Sequence, residues 1–205
     1  MFSFEKKYFN FIEFLNYEDP SSTFKYISMF KHINQLREKR ILVKSEQNCG
    51  LSTSMYSFFT WLMLLPNDTK FVYINSDFQH LKNSIGYFVD IIKKSEPMFS
   101  FNYTNNANGL ISNKNGHKNE ILFYKPNSLS FNSIVKNNNI EILYFEHLKI
   151  KDKEHLKKLD NILEYKDNFK QLIVNYSSSS DKTSIEEFEN KYKKEFTNNI
   201  INITK

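Results

Sequence analysis

The residues whose types and spacing could do chemistry lie together in Ser45-Glu46-Gln47-Asn48-Cys49-Gly50-Leu51-Ser52-Thr53. Three aliphatic residues, Ile41 to Val43, precede this stretch as a short buried strand, and an apolar helix opens at Ser52 and Thr53. That layout binds phosphate: a strand delivers a turn, and the next helix points its free N–H groups and positive dipole end at the anion. A working loop of this kind places a lysine after its last glycine, where it reaches the β- and γ-phosphates, and the next hydroxyl ligates magnesium. Here Leu51 holds the lysine's place and Ser52 keeps the hydroxyl. The phosphate-binding candidates are therefore Ser45, Gly50, Leu51, Ser52 and Thr53. Lys44 joins them if its flexible stem folds back over a bound phosphate; otherwise it is a solvent-facing lysine at a strand end.

Three further positions carry chemical potential. His147 closes an apolar run and reads either as a polar group facing a cleft or as a satisfied core histidine. Cys49 lies near a helix N-terminus, which lowers a thiol pKa, or is a small filler. Ser177 to Ser180 either bind phosphate through hydroxyls and N–H groups or form an ordinary polar loop.

The elements that must position these residues follow from periodicity. Residues 4 to 17 are aromatic and amphipathic, and residues 22 to 37 repeat Phe24, Ile27, Phe30, Ile33 and Leu36 as one helical stripe. A helix after the loop carries Met55, Phe58, Phe59, Leu62 and Leu65, closed by Pro66-Asn67-Asp68. Strands are predicted at Phe71 to Ile74, Ile121 to Tyr124, Ile140 to Phe145, Gln171 to Val174 and Ile200 to Ile203. Helices are predicted from Phe78 to about Lys94, with Ser76 or Asp77 as cap, through Leu159 and Leu163, and around Phe188, where Ser184 and Glu187 form a capping box. The Asn/Gly-rich segment 102 to 119 reads as irregular turns or a loose hairpin. Short apolar strands separated mostly by helices imply a single α/β domain with a mostly parallel sheet. Its ligands belong at the C-terminal strand ends, where Ser45 to Ser52, Glu146 and Ser177 to Ser180 would converge.

Composition sets wider bounds. The 205 residues suffice for one domain with a real core, and 40% hydrophobic residues with 20 Phe and 12 Tyr exclude a disordered polymer. A net charge of +5 is compatible with an anionic partner without demanding one. One cysteine excludes a disulfide framework and points to a reducing, intracellular compartment. No signal peptide or membrane span is visible.

In the order of its elements and in three local patterns, the chain resembles the ATPase domain of the large terminase subunit, the DNA-packaging motor of tailed bacteriophages. The resemblance covers roughly residues 22 to 204, with residues 1–21 as a separate aromatic segment and 22–205 as the P-loop domain. The family's loop, Ser-Arg-Gln-x-Gly-Lys-Ser/Thr after an apolar strand, falls on Ser45 to Ser52. Its apolar run followed by Asp-Glu falls on Ile142-Leu143-Tyr144-Phe145-Glu146-His147, and its coupling strand ending in Ser/Thr falls on Ile173 to Ser178. The resemblance implies a P-loop NTPase-like fold, with ATP and magnesium as cofactors and Ser52 and Glu146 on the metal. It makes Glu146 and His147 the catalytic positions and Ser177 and Ser178 the coupling residues.

The departures fall on those same positions. Glu46 replaces the loop arginine, Leu51 the lysine, Glu146 the metal-holding aspartate and His147 the water-activating glutamate. Each lost transition-state contact lowers the rate about a hundredfold or more, so the pattern predicts a pseudo-ATPase that acts by binding, in a regulatory or structural role. Its partners would be phage packaging or capsid proteins or another terminase chain, in the host cytoplasm or on the virion. Two alternatives are a weak magnesium-dependent ATPase that uses Lys44 to drive DNA translocation, and a basic DNA-binding accessory protein. The family's nuclease domain has no counterpart in this sequence, which is read as either a fragment or a free-standing relative, the capping-box helix and final apolar strand favouring the latter.

Overall fold

The computed structural model describes residues 39–47, 49–64, 68–75, 78–99, 102–106, 109–114, 116–124, 133, 136, 140–196 and 200–203. The segments expected at residues 4 to 17 and 22 to 37, the cap at Ser76 or Asp77 and the 1–21 boundary lie outside these residues. Along the chain run β1 (Arg40–Ser45), α1 (Leu51–Leu64), β2 (Thr69–Asn75), α2 (Phe78–Phe99), β3 (Asn102–Asn106), β4 (Gly109–Lys114), β5 (His117–Tyr124) and β6 (Ile140–Leu148). Then come α3 (Lys153–Glu164), a 3-10 turn (Lys166–Asn168), β7 (Phe169–Ser177), α4 (Lys182–Tyr192) and β8 (Ile200–Ile203).

The strands form one 8-stranded sheet in the order β3-β4-β5-β2-β6-β7-β1-β8. The six strands from β5 to β8 in that order pair in parallel, and the β3–β4 hairpin adds two antiparallel strands at one edge. This is the α/β, mostly parallel, helix-flanked sheet that the sequence implied.

Both faces of the sheet are covered, which is why its central strands read as unbroken aliphatic and aromatic runs. Ile41, Val43, Tyr73 and Tyr144 pack with α1 and α2 on one face. Leu42, Ile74, Phe145 and Val174 pack with α3 and α4 on the other. Residues 54 to 63 of α1 are buried around the whole helix, Ser54, Ser57 and Thr60 included. The Met55, Phe58, Phe59 and Leu62 expected on this helix are therefore part of a fully enclosed surface, whose polar members are small hydroxyl residues.

One local reading is narrowed and one changes. Of the two readings of segment 102 to 119 the hairpin matches, as the ordered antiparallel pair β3–β4; Gly109 lets β4 lie against β5, since a Cβ there would sit 2.2 Å from the Ile121 carbonyl oxygen. The cap of α4 is Asp181 rather than Ser184. Its carboxylate accepts the Ser184 N–H at 2.9 Å and the Ser184 hydroxyl at 2.9 Å. Asp in this position outcompetes the serine inside the first turn because an ionised acceptor also meets the helix dipole, and the Lys151 ammonium with these bonds holds the Asp181 carboxyl well below its usual range.

Candidate functional site

β1 alternates strictly, so Ile41, Val43 and Ser45 face the α1 side and Leu42 and Lys44 the other. At the C-terminal end of β1 the chain turns through a Cys49 N–H bond to the Glu46 carbonyl at 3.4 Å. It reaches Gly50 at φ +83, a left-handed value that only glycine adopts without strain. The first α1 bond follows, with the Ser54 N–H and hydroxyl each 3.0 Å from the Gly50 carbonyl. The N–H groups of Leu51, Ser52 and Thr53 therefore have no partner inside the helix, and all three residues border a cleft of about 660 Å³.

Ser45, Gly50, Ser52, Ser177, His147 and Lys149 line this cleft together. Ser45 donates its hydroxyl to Asn175 Oδ1 at 2.8 Å, and the Ser178 N–H bonds the Ser45 carbonyl at 2.9 Å. The Ser177 hydroxyl lies 2.7 Å from that of Ser179, so this loop is partly closed on itself. The Leu51 side chain is 5% exposed and packs into the core beside Met55 and Phe59. Cys49 is half-buried against the same cluster.

Lys44 is not in the cleft. Its ammonium pairs with Glu189 of α4 at 3.2 Å on the opposite face of the sheet, and the Tyr176 hydroxyl donates to the same carboxylate oxygen at 2.5 Å.

Glu146 sits at the end of β6, one strand removed from β1, but its side chain is 1% exposed and does not border the cleft. Neighbouring β2 captures it. The Tyr73 hydroxyl and the Asn75 amide, the latter at 2.7 Å, both donate to Glu146 Oε2. Tyr73 continues to Tyr56 and to the Ser84 hydroxyl, each at 3.3 Å. Burial pushes the phenols of Tyr56, Tyr73 and Tyr144 up, Glu146 pushes each further, and Tyr56 reaches about 12. The Tyr73 phenol therefore keeps its proton, which suits it to hold the buried Glu146 side chain. His147 stands beside it at φ 54, exposed, with Nε2 3.9 Å from Glu146 Oε1. Of the two readings of His147, the cleft-facing one matches its position.

Magnesium does not fit the two oxygens assigned to it. Ser52 borders the cleft while Glu146 lies behind it under Tyr73, and no group of three metal-ligating side chains occurs among the described residues. An anion fits better: the N–H groups at the start of α1 have no partner inside the helix and border the cleft, and the Asn175 side chain, 1% exposed, lines it as well. Glu46 also lines the cleft and opposes high negative charge there.

Sequence reasoning missed Asn175, Lys149 and the near-parallel ring pair Tyr56–Tyr87, 5.8 Å between centroids, at the cleft's α2 side. Asn175 lay in view inside the Ser/Thr-ended strand. Tyr87 carried no signal of its own inside a predicted helix.

A strand, a glycine turn, a helix N-terminus and one strand intervening before β6 define a P-loop type of α/β domain. Among solved structures, the chain is similar to the large terminase of a thermophilic bacteriophage, with a TM-score of 0.60 and 12% identity over 87% of this chain and 44% of that one. It is also similar to the same terminase in complex with ATP-gamma-S, with a TM-score of 0.57, 12% identity and 87% and 43% coverage. The Thermus phage P74-26 large terminase ATPase domain matches with a TM-score of 0.54 and 11% identity over 78% and 72% of the two chains. The chain thus spans less than half the length of the first of these terminases. No protein-family model and no curated protein sequence matches it.

Proposed function

We propose that this chain is a terminase-like P-loop domain associated with viral DNA packaging, which binds a nucleotide-type phosphate in the α1 cleft and does not turn it over at a motor's rate. The observation that carries this reading is the disposal of the two hydrolytic positions: Leu51 is packed into the core and Glu146 is buried under Tyr73 and Asn75. The remaining cleft groups can bind and orient an anion through backbone N–H groups, Ser52 and Asn175. ATP or ADP would bring its phosphates to those groups, and no step of hydrolysis is assigned. Its partners would be packaging or capsid proteins or another terminase chain. Two of the similar structures are complexes with ADP and with ATP-gamma-S, which supports a nucleotide as ligand.

One observation favours a second reading, a slow ATPase acting in DNA translocation. His147 faces the cleft 3.9 Å from Glu146 Oε1, where an imidazole could take a proton from water. Calorimetric titration with ADP and ATP-gamma-S, paired with a phosphate-release assay on ATP with and without DNA, separates the two. Saturable binding with background phosphate release supports the binding protein. Release that rises with DNA and is lost in His147→Ala supports the ATPase. No heat at millimolar nucleotide would sink both.

A further inference from the structure

The register of β6 on β7 slips at one place. Phe145 pairs with Val174 and Leu148 with Tyr176, so three steps along β6 match two along β7. The extra residue is a β-bulge, and it carries His147 at φ 54. A bulge changes which face each later side chain takes. In an unbroken strand Leu148 would share the face of Glu146, and Lys149 would lie on the α3 and α4 side. Instead Leu148, 2% exposed, joins Phe145 in the core beneath α3 and α4, and His147 and Lys149 come to the cleft. The backbone of Lys149 is then fixed, its N–H donating to His155 Nδ1 at 3.1 Å.

Building on the nucleotide reading above, we propose that Lys149, carried into the cleft by the bulge at His147, is the cation that grips the ligand's phosphate in place of the lysine absent at Leu51. Among the described residues that line the cleft, Lys149 is the one lysine or arginine. Lys44, the nearer residue in sequence, is held by Glu189 behind the sheet. Approach from the end of β6 also suits a cleft without a magnesium site, because a lysine there occupies the side from which a metal carboxylate would act. With Glu46 opposite, the cleft carries one cation against one carboxylate.

The test is titration of the full chain with ADP in EDTA for wild type, Lys149→Gln, Lys149→Arg and Lys44→Gln, at several salt concentrations. Loss of a charge-assisted bond predicts about tenfold or greater weakening in Lys149→Gln. It also predicts a flatter salt dependence in Lys149→Gln and near wild-type affinity in Lys149→Arg. Circular dichroism confirms that the variants fold. Wild-type affinity in a folded Lys149→Gln overturns the proposal and leaves the nucleotide reading standing, as does a loss confined to Lys44→Gln. Absence of ADP binding by wild type overturns both.

Discussion

His155 Nδ1 accepts the backbone N–H of Lys149 at 3.1 Å, so an imidazole from the first turn of α3 ties down the chain where it leaves the bulge of β6. Only the neutral ring can accept there. Burial lowers the His155 pKa and Lys149 adds to that, against the opposing pull of Asp152 and Glu154. A histidine whose folded pKa lies below the unfolded value near 6.5 contributes stability that is fully present above that value. The contribution is lost as pH falls below 6.5 towards the folded pKa, because the unfolded chain binds the extra proton. Urea midpoints measured from pH 7.5 down to about 5 should therefore fall, and His155→Leu should flatten that part of the profile while losing about 1 kcal/mol at neutral pH. An unchanged slope in His155→Leu would show that other groups set the acid sensitivity.

Two glycines should respond differently to alanine. Gly50 has φ +83 and nothing within 4 Å of an added Cβ, so Gly50→Ala meets only backbone strain, about 1–2 kcal/mol. Gly109 meets the Ile121 carbonyl at 2.2 Å, so Gly109→Ala must push β4 off β5. It should lose about 2 kcal/mol or more and expose the β3–β4 edge. Thermal unfolding ranks the pair, and hydrogen exchange at Leu110 and Ile121 reports the edge. Equal losses with intact protection in both variants would contradict this account of the hairpin.

Much of the fold was written in the sequence because the sheet is buried on both faces. Ile41 to Val43, Phe71 to Ile74 and Leu172 to Val174 need aliphatic side chains on both sides, and such runs stand out from any polar linker. The β3–β4 hairpin was legible only as one of two readings, since its Asn-rich strands carry little apolar signal and β4 lies against β5 only because residue 109 is a glycine. The site was half visible. Ser45, Gly50 and Ser52 followed from a strand, a turn and a helix start, all local features. Glu146 was placed in the cleft by analogy, whereas Tyr73 and Asn75, more than seventy positions earlier in the chain, draw it away. Lys149 was invisible because simple alternation along β6 puts it on the wrong face, and one inserted residue reverses that.

The capture of Glu146 makes its own prediction. Tyr73→Phe removes a donor from a carboxylate that is 1% exposed, leaving Asn75 on the same oxygen. A buried charge that loses a hydrogen bond destabilises by about 1–3 kcal/mol, so the urea midpoint should drop with an unchanged m value. Tyr73→Phe combined with Glu146→Leu should recover part of that loss, since the variant no longer buries the charge. A double variant as unstable as the sum of the two single ones would mean that the phenol and the carboxylate act independently.

Restoring the missing lysine should not restore an ATPase. Leu51 is 5% exposed and packs against Met55 in the core under α1. Leu51→Lys gives up about 1–3 kcal/mol of apolar burial, reduced by whatever part of the lysine stem stays packed while its ammonium reaches the cleft. The new charge would strengthen phosphate binding, and ADP affinity should rise. Hydrolysis needs more than that, namely a metal carboxylate on the cleft and a positioned base. Glu146 remains under Tyr73, and Glu46 still faces the phosphates as a carboxylate. Phosphate release by Leu51→Lys should stay at background while its melting temperature falls. Measurable turnover from this single change would show that Glu146 can leave Tyr73 when a nucleotide is bound, and that the buried network is a resting state of an active centre.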